Sequence, residues 1–342
     1  HAQFSPDGSK AISASNDNTV KVFDLNSGQL LHDFKQHNRP VNHAQFSPDG
    51  SKAISASDDN TVKVFDLNSG QLIHDFKQHN RPVNHAQFSP DGSKAISASE
   101  DKSVKVFDLN TGQLLHDFKQ HNRAVIHAQF SPDGTKAISA SNDNTVKVFD
   151  LNTGQLIHNF KQHTSAVYHA QFSPNGKKAI SASHDGSVKV FDLNTGLIIH
   201  DFNQHTGRVN HAQFSHDGTK AISASHDGSV KVFDLNTGQI LHDFKQHTHF
   251  VNHAQFSTDG TKAISASDDG TVRKWDLETG QCVWIGYHFK GGEFATTTGE
   301  GELLQYSDQA WQHLAWVEPQ AEGLPHYLPF DTYEVGFGPT KV

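Results

Sequence analysis

Cysteine occurs once, at Cys282, and methionine not at all. A single thiol excludes an intramolecular disulfide framework and fits a reducing compartment, which places the chain in the cytoplasm. No apolar run approaches the roughly 18 residues that would cross a bilayer, so no membrane partner is expected. No basic run exceeds two residues, and 28 basic against 37 acidic residues give a formal charge of -9. A nucleic-acid partner is thereby disfavoured. A signal peptide is missing too, and the chain starts in mid-pattern, so it reads as a piece of a longer protein.

What fills the chain is repetition. A 42-residue unit beginning HAQFSPDG, or a near variant, recurs seven times, at 1–42, 43–84, 85–126, 127–168, 169–210, 211–252 and 253–292. In the second copy Val41–Phe46, Lys52–Ser57, Thr61–Asp66 and Leu72–Phe76 alternate as strands do, and Pro48-Asp49-Gly50, Asp58-Asp59-Asn60 and Asn68-Ser69-Gly70 are turns between them. Turns recur too often for a helix of about ten residues. Four short strands cannot bury both faces alone, so copies must stack. The expected fold is an all-β, closed β-propeller of four-stranded antiparallel blades.

The pattern S-P-D-G … S-x-S-x-D-x-T-V-K-V-F-D … Q-H resembles the WD-repeat family of β-propellers across His1–Gly286. Only the seventh copy keeps the signature tryptophan, Trp275; copies one to six carry phenylalanine, and the usual Gly-His pair is Gln-His. The resemblance implies a hydrogen-bonded tetrad of histidine, aspartate, serine and tryptophan. Its histidines would be His37, His79, His121, His163, His205 and His247. The matching aspartates and serines include Asp59, Asp101 and Asp143 with Ser55, Ser97 and Ser139. Phenylalanine cannot supply the indole N–H, so most copies are expected to hold a His–Asp–Ser network over an apolar ring.

After Trp284 the pattern breaks, but strand-like runs continue at Glu293–Thr298, Glu302–Ser307, Trp311–Val317 and Leu324–Phe330. Four runs make one further blade, 293–342, giving eight; the alternative is seven blades with the tail packed on them. The ending GEFATTTGEGELLQYSDQAWQHLAW also resembles the close of propellers in bacterial multidomain signalling ATPases and related regulators. It implies a sensor or scaffold within a larger protein.

Differences between copies gather in two connections. The loop before each first strand carries Arg39, Arg81, Arg123, Arg208, His249 and Phe250, and Tyr168 enters a first strand. The turn after each second strand carries Glu100, Lys102, His184 and His226. In an antiparallel meander both lie at one end of the blade, and arginine and aromatic side chains are frequent interface anchors. The expected function is therefore noncatalytic binding of a protein or peptide, with a structural spacer or self-associating module as the alternative. An enzyme with a channel-mouth site is the weakest reading, since no unrepeated carboxylate pair or metal triad is present; no cofactor or metal is expected. The seven histidines His1, His43, His85, His127, His169, His211 and His253 would form a ring, spaced too widely to share one ion.

Overall fold

The computed structural model describes residues 1–289, 293–307 and 309–310 with side chains, and the backbone of Ala315–Glu318, His326–Pro329 and Thr340–Lys341. The chain divides into two compact units, His1–Phe214 and Ser215–Val342.

The first unit contains five four-stranded antiparallel sheets, each with strands in chain order, and then the strand Val209–Phe214. The first two sheets are β1 (Ala2–Phe4), β2 (Lys10–Ala14), β3 (Val20–Asp24) and β4 (Leu30–Phe34), then β5 (Val41–Phe46), β6 (Lys52–Ser57), β7 (Val62–Asp66) and β8 (Leu72–Phe76). Local chemistry sets the turns. Between β5 and β6 the Asp49 carboxylate accepts from Ser47 Oγ at 2.5 Å and from Ser51 N at 3.0 Å, while Gly50 takes φ 70°. A left-handed φ is what glycine adopts without steric cost. Between β7 and β8 Asp66 does the same for the amides of Asn68 and Ser69.

Two register shifts recur. One lies between Val41 and His43, so Asn42 is an extra residue in β5; the other lies between Val64 and Phe65 where β7 meets β8. Such bulges re-aim side chains. The small residues Ala53, Ser55, Ala56 and Ser57 are wholly or almost wholly buried, which lets neighbouring sheets approach closely. Ile54, Val62, Val64 and Phe76 of one sheet form a single core with Val83, Phe88, Ala95 and Phe107 of the next. Phe76 stacks on Phe107 with ring centroids 4.3 Å apart. Fully burying a phenylalanine side chain contributes about 2–3 kcal/mol, and this pairing recurs from sheet to sheet in the unit.

The second unit contains the antiparallel strands Lys220–Ser225, Val230–Asp234 and Ile240–Phe244, and then a larger sheet. There the tail departs from the expected separate eighth blade. Cys282–His288 pairs antiparallel with Phe294–Thr298, which pairs with Leu303–Tyr306, so the seventh repeat grows into a seven-stranded sheet. Ala315–Glu318 and His326–Pro329 form a separate two-stranded sheet. The arrangement matches the alternative of seven four-strand repeats with a divergent tail. The reason is the connection. Phe289 N donates to Glu293 O at 2.8 Å, closing a tight hairpin, where earlier repeats have a longer loop tied down by its histidine. A hairpin returns the chain to the edge it has just left. Of the expected runs Trp311–Val317 and Leu324–Phe330, residues 311–314, 324, 325 and 330 lie outside the described residues. Among the described residues no helix is long and apolar enough to cross a membrane.

Candidate functional site

In the first six repeats the loop that follows the fourth strand carries a buried histidine. His37 Nδ1–H donates to Asp59 at 2.7 Å, and Ser55 Oγ–H donates to Nε2 at 2.7 Å. His79 joins Asp101 and Ser97 at 2.7 Å each; His121 joins Asp143 at 2.8 Å and Ser139 at 2.7 Å. His163 joins Asp185 and Ser181, and His247 joins Asp269 and Ser265. His205 is likewise buried. An acceptor-only carboxylate fixes the tautomer, because it takes the Nδ1 proton. Burial works against ionisation of Asp59, Asp101 and Asp143, but bonds from the histidine and a neighbouring hydroxyl hold each well below the usual carboxylate range.

These groups have the composition of a hydrolytic triad, yet Ser55, Ser97 and Ser139 are completely buried. A nucleophile without access to substrate cannot act, so the network is an anchor that ties loop to turn. The seventh repeat adds an indole: Trp275 Nε1–H donates to Ser265 Oγ at 2.9 Å. Trp275→Phe is expected to cost about 1 kcal/mol, the worth of one such bond, measured by urea denaturation. A larger loss would mean that the shape of the indole matters more than its donor.

On this frame the two variable connections lie side by side within each repeat. Asp58 N donates to Pro40 O, Glu100 N to Pro82 O and Asn142 N to Ala124 O, each at 2.9 Å. Ser57 Oγ and Ser99 Oγ reach the carbonyls of Arg39 and Arg81 at 3.1 Å. Arg39, Arg81, Glu100, Lys102, Arg123 and His184 are exposed. Later in the first unit, the Arg208 guanidinium lies 5.3 Å from the Tyr168 ring centroid, and His184 is 6.0 Å from the same ring. In the second unit His226 stacks on Phe250 at 3.8 Å, and His249 lies 4.3 Å from it. The rim residues thus fall into a cationic row and two aromatic clusters, one cluster in each unit. Asn42 and Asn84 stand out in the sequence as varying residues at the entry to the first strand, but their role does not: their Nδ2 groups donate to Val83 O at 3.0 Å and Val125 O at 2.8 Å in the following repeats. That variation was the available signal.

The first-strand histidines are much closer than their sequence spacing implied. Rings of His1, His43, His85, His127, His169 and His211 follow one another with centroids 4.0–4.3 Å apart. The wide spacing expected from the sequence is wrong, because adjacent first strands run side by side and aim every ring the same way. His43, His85 and His127 donate to the backbone carbonyls of Ala86, Ala128 and Ala170. Burial, then the charge that His127 and the N-terminus would add, pushes His43 down to about 3. His85 and His127 are driven well below the usual imidazole range by burial and then by neighbouring histidines. No group of three or more metal-type ligands converges among the described residues.

Inaccessible serines and an exposed, variable rim on a rigid repeated frame define a binding scaffold, not a reaction centre. The WD domain, G-beta repeat (WD40) model matches residues 1–24, 28–66, 70–108, 112–150, 154–192, 196–234 and 238–276, and the chain belongs to that family. Its fold is that of noncatalytic protein-interaction scaffolds. The computationally designed Ika8 protein, known from a crystal structure, is similar: 30% identical with a TM-score of 0.75, over 88% of this chain and 93% of that one. No curated protein matches.

Proposed function

We propose that this chain binds a protein or peptide through its variable loops, with Arg39, Arg81, Arg123, Tyr168 and Arg208 in the first unit and Phe250 in the second, as the scaffold or sensor part of a larger signalling protein. The observation that carries the reading is the division of variation. Buried positions repeat almost unchanged, whereas differences fall on exposed side chains such as Arg39, Arg81, Arg123 and Phe250 and on the half-buried Tyr168 and Arg208, beside a backbone pinned by the His–Asp–Ser anchors. A rigid backbone under varied side chains limits the ordering cost of binding. A place in a larger cytoplasmic regulator is part of the same proposal and rests on the sequence resemblance of the C-terminal segment alone.

The test is affinity capture from a lysate of the encoding organism, comparing the native chain with one in which those six residues are alanine, after both are shown to fold. Loss of a captured partner is the expected result; equal capture by both would remove the rim assignment. Self-assembly is the second reading. It is favoured by exposed apolar pairs on fourth strands, such as Leu30 with Leu31 and Leu114 with Leu115. Concentration-dependent mass in sedimentation would support it.

A further inference from the structure

Lys102 stands where its backbone is least comfortable. The third residue of the turn after each second strand has a left-handed φ in every copy, between 69° and 81°. Asparagine or glycine fills six of these positions, and both tolerate that region; lysine does not. At two of the three glycine-bearing equivalents space is short as well, whereas at Gly270 a Cβ would meet only His288 O at 3.7 Å. A Cβ at the equivalent Gly186 would lie 3.1 Å from His205 O and 3.5 Å from Gly207 O, and at Gly228 the same distances from His247 O and His249 O. The carbonyls at the corresponding places opposite Lys102 belong to His121 and Arg123. Asn144, another equivalent, donates to Thr164 O of the next loop at 3.2 Å. Lys102 therefore sits between the loop of its own repeat, with Arg81, and that of the next, with Arg123.

Most lysines at the third-strand position are already neutralised: Lys63, Lys105 and Lys231 each pair with an aspartate at 2.6 Å. Among the described residues Arg81, Lys102 and Arg123 make no ion pair, and all three are exposed. Nearby carboxylates are Asp101 and Asp143, taken up by His79 and His121, and Glu100, which is exposed. Three unpaired cations face outward against one unpaired carboxylate. Strain held at a turn is commonly retained for function. We propose that Arg81, Lys102 and Arg123 form a cationic clasp for an acidic peptide segment, with Ile126 at the entry to the adjacent first strand as an apolar neighbour. This rests on the rim reading and names the chemistry of its partner.

The test is fluorescence anisotropy with a labelled polyglutamate peptide of about ten residues, a polyserine peptide of equal length and an oligothymidylate, at low and high salt. The native chain is expected to bind polyglutamate alone, and salt to weaken it. Lys102→Asn is expected to lower affinity about fivefold. Its thermal midpoint should hold or rise, because asparagine fits that φ; a purely structural lysine would give the opposite pair of results. Adding Arg81→Gln and Arg123→Gln should abolish binding, and Lys177→Gln, exposed in a first turn, should leave it unchanged. Equal binding by the triple variant, or preference for the oligothymidylate, would overturn the clasp. Indifference to polyglutamate, in a chain that still captures a partner through the rim, would overturn the clasp and leave the rim reading standing. Failure of both experiments would remove both.

Discussion

Acidification from about pH 8 to about pH 5 is expected to remove about 2 kcal/mol of folding stability through His43 alone, with further losses of the same sign from His85 and His127. The His43 ring is buried and those of His85 and His127 are half-buried, with neighbouring centroids 4.1–4.2 Å apart and the planes tilted, and all three are held neutral, with His43 down at about 3 against 6.5 for a free imidazole. Their folded values are depressed, so the unfolded chain takes up protons first. Stability is then complete above about pH 6.5 and falls with decreasing pH toward the folded values, by about 1.4 kcal/mol per unit for each histidine. The carboxylates add nothing in this window. Asp49, held at about 2 by bonds from Ser47 and Ser51, loses its contribution only below its unfolded value of 3.8. Against a typical total of about 5–15 kcal/mol, the loss is a substantial fraction of the stability and lowers the urea midpoint steadily toward pH 5. Urea titrations across this range, with potentiometric counting of protons taken up on unfolding, check the result. An uptake below one proton per chain near pH 5 would show that the column is hydrated and already charged in the native state. His85→Gln should remove about one proton from the count.

The column also shows where sequence reasoning stops. Periodicity placed His43 and His85 at one fold position, and the strand Val41–Phe46 was legible with its turn at Pro48-Asp49-Gly50, because alternation and turn chemistry are local. The lateral distance between equivalent residues is not local. It follows from how closely the Ala and Ser faces let sheets approach, and nothing in a 42-residue period states it. The bulge at Asn42 was hidden for a related reason: a bulge is a property of two strands, Val41–Phe46 and Lys52–Ser57, and neither alone records the extra residue. In the tail, strand-like runs at Glu293–Thr298 and Glu302–Ser307 were visible, but their partner was not. Pairing with Cys282–His288 was decided by the short Phe289–Glu293 connection, which leaves the chain at the edge of the seventh repeat. The rim was legible as a set of positions, since two connections varied while the rest did not. Its division into a cationic row and two aromatic clusters needed the folded contacts between Tyr168 and Arg208 and between His226 and Phe250.

Asp101→Ala is expected to cost about 3–5 kcal/mol, although the residue lies in a turn at the edge of the fold. Its carboxylate accepts from His79 Nδ1 at 2.7 Å, from Ser103 Oγ at 2.5 Å and N at 3.0 Å, and from Asn80 N at 3.3 Å. Alanine leaves the buried imidazole N–H only the long contact to Ser103 Oγ at 3.3 Å, and strips the acceptor from Ser103 Oγ, Ser103 N and Asn80 N as well; poorly met buried donors carry much of their desolvation cost. Two neighbours give the comparison. Glu100→Ala, one residue earlier and exposed, should change stability by less than about 0.5 kcal/mol. Asp101→Asn keeps one carbonyl acceptor and should fall between the two. Because stability in stacked repeats is close to a sum over nearest neighbours, the damage should be local first. Hydrogen exchange should accelerate at the amides of Asn80 and Ser103 before it does in the first repeat. Uniform acceleration along the chain would mean that the copies unfold as one cooperative body and that no single anchor is separable. The rim shares this fate: Arg81 is placed by a backbone that Ser99 and Asp101 hold, so Asp101→Ala should weaken binding there without touching any side chain that meets the partner.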